Sequence, residues 1–353
     1  MNLENYDSSF FDNQLRHKQA FAAWRLPGNH NINAVCCNVD DVIECEHINN
    51  NVSGFIFAPF ICNTNNRILI LPDKFEPIST TTSDDYKLGQ GCSLAAHCAT
   101  RQQYVHKIDK TLSMIDADMP KIVLSRCQWF AQSNASIVPQ LFSVLCEIQP
   151  ESFVYQVFIP RAGYWIGASP EMLLSVDDSA AATMAVAGTQ PAANVDWTDK
   201  ERNEQRWVSK FISSILDNNQ ITYTCSDTHT CLSGNIAHLR TRFSFSLNNS
   251  AIGSLLNQLH PTPAVCGLPV DKARQAIAEL EGYNRSYYTG YVGFANKQTT
   301  NMYVNIRCLQ AFSDGLMLYA GGGITAQSLP DSEWQETELK MANLLSIIKK
   351  IIR

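Results

Sequence analysis

"LYAGGGITAQSLPDSEWQETELK", residues 318–340, runs an apolar, strand-like segment into three glycines and then into a helical pattern carrying Glu333, Glu336 and Lys340. Those positions are i, i+3 and i+7, so on a helix the two acids and the lysine share one face. The glycines read as a flexible backbone corner between strand and helix. The helical period continues through "SEWQETELKMANLLSIIKKIIR", an amphipathic helix with Leu339, Met341, Leu344 and Leu345 inward.

Outward from this stretch, short runs rich in Val, Ile, Phe and Tyr dominate. They include "GFIFAPFI", "RILILP", "KIVLSR", "FVYQVFIP", "MLLSV", "MYVNIRCL" and "LMLYAGGG", each bounded by turn residues. Two further helices are legible. "DWTDKERNEQRWVSKFISSILDN" has Asp196 and Thr198 as candidate caps and Val208, Phe211, Ile212 and Ile215 on one stripe. "PVDKARQAIAELEG" has Pro269 near its start and Gly282 after its end. Strands do not alternate regularly with helices, so the expected class is α+β, a single large domain of mostly antiparallel sheets with helices packed outside. The Ser/Thr/Asp-rich segment 76–90 is the expected exposed loop.

A net charge of −6 offers no basic surface for nucleic acid or an anionic membrane. No apolar run approaches a bilayer span, and the polar, acidic start "MNLENYDSSFFDNQ" is unlike a secretory leader, so a cytoplasmic protein is expected. The twelve cysteines are scattered without a C-x-x-C pair, and several lie in apolar runs. They read as reduced, buried thiols with no metal role.

Candidate chemistry starts with four acids. Glu201 and Glu204 are i, i+3 on one predicted helix, and Glu333 and Glu336 are i, i+3 on the last. If those faces meet, the oxygen-only, strongly negative site suits Mg²⁺. The competing reading is two exposed acidic turns paired with Lys200 and Lys340. Small-residue corners at 185–191, 288–294 and 319–324 can let backbone amides close on an anion, or be simple turns and bulges; none has nucleotide-binding spacing. Arg307, in what reads as a strand interior, needs either an internal carboxylate or an anionic ligand. Lys121 at a strand start and Glu171 in the turn "GASPE" read locally as solvated charges. His238 and His260 read as satisfied histidines.

Taken in order, "KIVLSR", "GASPEMLL", "AVAGTQP", "KERNEQ", "HLRT", "LHPTPAVCGLP", "ELEGYNRSYYTGYVGF", "YVNIRCL" and the opening stretch resemble the chorismate-binding enzymes. The likeness lies in residues 111–353; residues 1–110 carry no matching motif and are expected to belong to the same fold. The resemblance implies chorismate as substrate, with Glu204 and Glu336 as Mg²⁺ ligands and Glu201 and Glu333 as supporting acids. It puts Gly188, Thr189, His238, Ala264, Tyr288, Arg307, Gly321, Gly323 and Lys340 on substrate-binding positions. Lys121 falls where water-activating members of the family carry a general base, and Glu171 on the general acid. Ala187 replaces the nucleophilic lysine of aminodeoxychorismate synthases, and Ala264 replaces the threonine usual in pyruvate-eliminating members. The implied activity is that of an isochorismate synthase, with salicylate synthase and an inactive binding homologue as alternatives. A monomer or weak dimer is expected; menaquinone and catecholate siderophores both start from isochorismate, and menaquinone is the favoured destination, since no carrier domain is fused. Gln190, Gln205, Asn284 and Gly322 depart from the family pattern.

Overall fold

The computed structural model describes residues 7–49, 52–77, 87–131 and 137–352. Most of the expected loop at 76–90 lies outside them. The strands form two sheets. The eight-stranded sheet runs from Gly267–Leu268 at one edge through Lys121–Ala131, Gly315–Ile324, Cys308–Ala311, Gly163–Ser169, Phe153–Ile159 and Ala20–Arg25 to Ile32–Cys37. The ten-stranded sheet includes Ile236–Ser246, Ala180–Pro191, Met172–Asp177, Thr299–Val304, Tyr291–Ala295, Gly54–Ala58 and Ile68–Leu71. Neighbouring strands in both are antiparallel. The α+β architecture expected from the sequence is the one observed.

Alternation along each strand explains the layering. In "AFAAWR", Ala20, Ala22 and Trp24 enter the core between the sheets, whereas Phe21 and Ala23 enter the core under the helices. The inter-sheet layer is aromatic: Phe153 stacks on Tyr303 at 4.4 Å and Phe57 on Tyr287 at 4.2 Å between centroids. Helices Ser8–Arg16, Ile137–Ile148 and Pro330–Ile352 cover the outside of the eight-stranded sheet; Asp199–Asn218 and Ile252–Leu259 cover the other. No helix among the described residues is long and apolar enough to cross a membrane.

Two sequence expectations are corrected here. The three glycines are not a corner. They are extended residues of Gly315–Ile324, with Gly321, Gly322 and Gly323 opposite Ser125, Leu124 and Val123, and none has a positive φ. The turn comes later, at Thr325–Ser328, where Ser328 Oγ accepts from the Thr325 N–H. The final helix buries Glu333, Thr337, Met341, Leu344, Ile347 and Ile348, while Leu339 and Leu345 are only partly covered. Its inward stripe therefore begins with a carboxylate, not a leucine.

Candidate active site

The site is built where the chain passes from one sheet to the other. It leaves the eight-stranded sheet at Ser169 and enters the ten-stranded sheet at Met172, with Glu171 between. It returns between Val304 and Cys308, with Arg307 between. Arg307 is thus not in a strand interior; its φ of 53° marks the sharp return. The two crossings are bonded side by side. The Val304 N–H donates to the Glu171 carbonyl at 2.9 Å, Ser169 Oγ donates to the Val304 carbonyl at 2.6 Å, and the Ala168 N–H donates to the Arg307 carbonyl at 3.2 Å. Asn305, fully buried, accepts from Tyr155 Oη and donates to the Tyr287 carbonyl, which holds the turn carrying Tyr288.

A cavity of about 730 Å³ opens beside these crossings. Lys121, Glu171, Gly188, Thr189, Glu204, His238, Ala264, Tyr288, Arg307, Gly321, Gly323, Glu336 and Lys340, thirteen of the fifteen residues singled out in the sequence, line it. Glu201 and Glu333 do not. Lys121 and Glu171, read locally as solvated charges, are 1% and 4% exposed. Burial lowers the pKa of Lys121 against the opposing pull of Glu204, Glu171 and Glu336. Burial raises Glu171 to about 7, with Lys121 pulling it back.

The glycine run makes room for this charge. A Cβ on Gly323 would lie 2.9 Å from Lys121 Cε and 3.1 Å from a Glu204 carboxylate oxygen. A Cβ on Gly322, on the other face of the strand, would lie 3.0 Å from Glu333 Oε2 and 3.6 Å from Glu336 Oε1. Lys340 donates to the Gly321 carbonyl at 2.7 Å and to Glu336 at 2.6 Å. Lys200 bonds Glu333 at 2.5 Å across the two helices and stands 4.0 Å from Glu204. The expectation of exposed acidic turns fails, because these helix faces pack onto the sheet ends and bury the pairs.

Burial, then the charge of Glu336, raises Glu333 to about 7. Glu204 is also raised by burial. On Glu336 burial pushes upward, but Lys340 and Lys200 outweigh it and hold the carboxyl below its usual range. Glu333 Oε2 is buried with no hydrogen-bond partner among the described residues. Glu201, expected as a supporting acid, is corrected: its carboxylate accepts from the Thr198 N–H and hydroxyl, closing the capping box at the start of Asp199–Asn218. An acid three residues into a helix has that use available, and Glu201 takes it.

His238 sets the position of Arg307. Gly188, at a bulge with φ 72°, offers its carbonyl to His238 Nδ1 at 2.8 Å, so Nδ1 carries the proton. Nε2 then accepts from Arg307 Nη2 at 3.1 Å. Burial, then the charge of Arg307, drives His238 down to about 3, so the ring is neutral. Arg307 Nη1 reaches only the Lys340 carbonyl, at 3.4 Å, and no carboxylate lies within ion-pair distance among the described residues. Of the two readings open for Arg307, the internal salt bridge is absent. A half-buried guanidinium without a carboxylate partner faces the cavity.

The sequence reading missed Tyr319 and Lys200 as parts of this site. The Tyr319 ring stacks on Tyr288 at 5.1 Å and lines the cavity; its adjacency to the glycine run was the available signal. All four departures from the family pattern lie outside the lining. Gln205 donates to Ala185 and Thr241, and Gln190 closes a loop on Asp196.

Fold and site together define an enzyme type: a two-sheet α+β frame with a buried amine, a buried carboxyl and an uncommitted guanidinium around one small cavity. Residues 62–349 match the chorismate binding enzyme family, and the chain belongs to that family. It is 28% identical over 313 residues to the vibriobactin-specific isochorismate synthase of Vibrio cholerae, covering 83% of this chain and 78% of the relative. It is 30% identical over 241 residues to the isochorismate synthase EntC of Escherichia coli K12, covering 64% of this chain and 62% of that protein. The structure of MenF, the menaquinone-specific isochorismate synthase of Escherichia coli, superposes with a TM-score of 0.79 over 98% of this chain and 92% of that one, at 22% identity.

Proposed function

We propose that this protein is an isochorismate synthase that converts chorismate to isochorismate with Mg²⁺. The observation that carries the proposal is the meeting of Lys121 and Glu171 in one cavity with an unpaired Arg307. Lys121, kept closer to neutral by burial, takes a proton from a water attacking ring carbon C2. Glu171, protonated up to about pH 7, gives a proton to the hydroxyl leaving C4, which departs as water. The ring double bonds shift, and the enolpyruvyl ether stays intact. Opposite tuning of the two groups lets one site hold both roles. Arg307, held by His238, meets a substrate carboxylate, and the Gly321–Gly323 strand lets the substrate lie close to the backbone.

The donor set suits Mg²⁺. With Lys121 and Glu171 neutral in their proposed roles, three acids, Glu204, Glu333 and Glu336, face three cations, Lys200, Lys340 and Arg307. A substrate with two carboxylates adds two negative charges to this balanced, desolvated set, and one divalent cation restores neutrality. Glu204 and Glu336 would hold the ion together with substrate oxygens; among the described residues no three metal-ligating side chains are already gathered around one point. The chemistry it supplies is electrostatic, offsetting a substrate carboxylate.

The test is incubation with chorismate and Mg²⁺, with products resolved by chromatography and pyruvate counted through lactate dehydrogenase. Isochorismate without matching pyruvate is expected. Salicylate with equal pyruvate would make the protein a salicylate synthase, and no conversion would make it a binding protein. Menaquinone is the destination proposed for the product. A deletion strain that keeps its quinone and loses a catecholate siderophore would overturn that part alone.

A further inference from the structure

Away from the charged groups, three sulfur atoms converge behind the cavity's aromatic wall. Cys98 Sγ lies 3.6 Å from Cys127 Sγ and 3.6 Å from Met317 Sδ. Cys127 belongs to Lys121–Ala131, the strand that begins at Lys121, and stands opposite Tyr319, whose ring lines the cavity. Cys98 follows the short turn Cys92–His97 on the surface side. We propose that Cys98 and Cys127 are a peroxide-responsive dithiol that closes reversibly to a disulfide.

Three observations carry this. First, the sulfurs are about 1.6 Å beyond bonding distance, so a small movement of the Cys98 segment closes the gap. Second, Cys98 is reachable: it is partly exposed and lines a surface cavity of about 770 Å³ together with His97, His106, Lys107 and Lys110. A small hydroperoxide can enter there; Glu279 and Glu281 share the lining, so the lysines lend it no net positive charge. Third, the pair divides its protons. Hydrogen bonding from Cys127 lowers Cys98 to about 7, with Arg126 adding to the effect, whereas bonding to Cys98 and burial raise Cys127. One thiol is the nucleophile and the other holds its proton in reserve.

The chemistry balances. The Cys98 thiolate attacks one peroxide oxygen, the O–O bond breaks, and the departing hydroxide takes a proton, leaving Cys98 as a sulfenic acid. Cys127 Sγ then attacks Cys98 Sγ as its proton is lost; the S–O bond breaks, the S–S bond forms and water leaves. Two thiols are oxidised and one peroxide is reduced to two waters.

The experiment treats the full-length protein with limiting hydrogen peroxide, alkylates free thiols and maps peptides by mass spectrometry. The expected result is a cross-linked Cys98–Cys127 peptide with two fewer alkylated thiols out of twelve, reversed by dithiothreitol. Cys98→Ser and Cys127→Ser should each abolish that peptide. The wild-type map needs no variant to fold. Oxidation of the exposed Cys92 and Cys225 with Cys98 untouched would overturn the proposal, as would Cys98 passing to sulfinic acid without pairing to Cys127.

Discussion

Lys121 and Glu171 sit in positions where a charge is costly, and the proposed chemistry draws on that cost. Lys121→Ala and Glu171→Ala should each lower kcat at least about a hundredfold, checked by steady-state rates on chorismate. kcat/KM should be bell-shaped in pH, since turnover needs Lys121 without its proton and Glu171 with one, and one limb should fall near 7, where Glu171 titrates. Glu204→Gln and Glu336→Gln should abolish turnover while leaving circular dichroism unchanged. Chelator should silence the wild type and Mg²⁺ restore it; full activity of either variant in chelator would remove the metal from the mechanism. Ala264→Thr should raise the ratio of pyruvate to isochorismate, because a hydroxyl on the cavity wall can order water or substrate where a methyl cannot. At this scale the sequence revealed identities better than environments. Thirteen of fifteen chosen residues share the cavity, yet nothing local distinguished a buried Lys121 from a solvated one. Long-range packing of the strand ends decides that, and a string of neighbours does not encode it.

Among the elements, the strand Gly315–Ile324 and the helix Pro330–Ile352 do most to shape the site. The strand contributes absence: its glycines leave space that carboxylates and Lys121 fill from both faces. Gly323→Ala should therefore cost activity by about tenfold or more with little loss of stability, since the backbone there is ordinary extended chain and the clash falls on Lys121 and Glu204. Gly322→Ala should be milder, because its Cβ meets only the ends of the flexible Glu333 and Glu336 side chains. Paired thermal melts and kcat/KM values check both. The helix was legible from its period and the strand from its apolar run. The glycine run was misread as a corner because consecutive glycines permit either, and only the register with Ser125, Leu124 and Val123 chooses. The capping role of Glu201 was legible in principle from "TDKE", but the spacing to Glu204 drew it into the acid cluster instead.

Across the whole molecule, the lack of regular strand–helix alternation indicated mostly antiparallel sheets with helices outside, while the two-layer arrangement and the strand order, which interleaves distant segments, were beyond reach of the sequence. Residues 20–37 end up at one edge of the eight-stranded sheet and 54–71 extend the other sheet, so the segment without motifs is woven into both. Glu171 and Arg307 hang on adjacent crossings that tie the two layers together. Neither layer holds a working half of the site. In urea, chorismate turnover and tryptophan fluorescence should disappear with one midpoint, and an intermediate that keeps its helices but loses activity would separate them. The seam between the layers is thus a coincidence detector for folding: Glu171 and Arg307 come together only where both layers have closed. A partly folded chain therefore offers no half-assembled centre to act on chorismate.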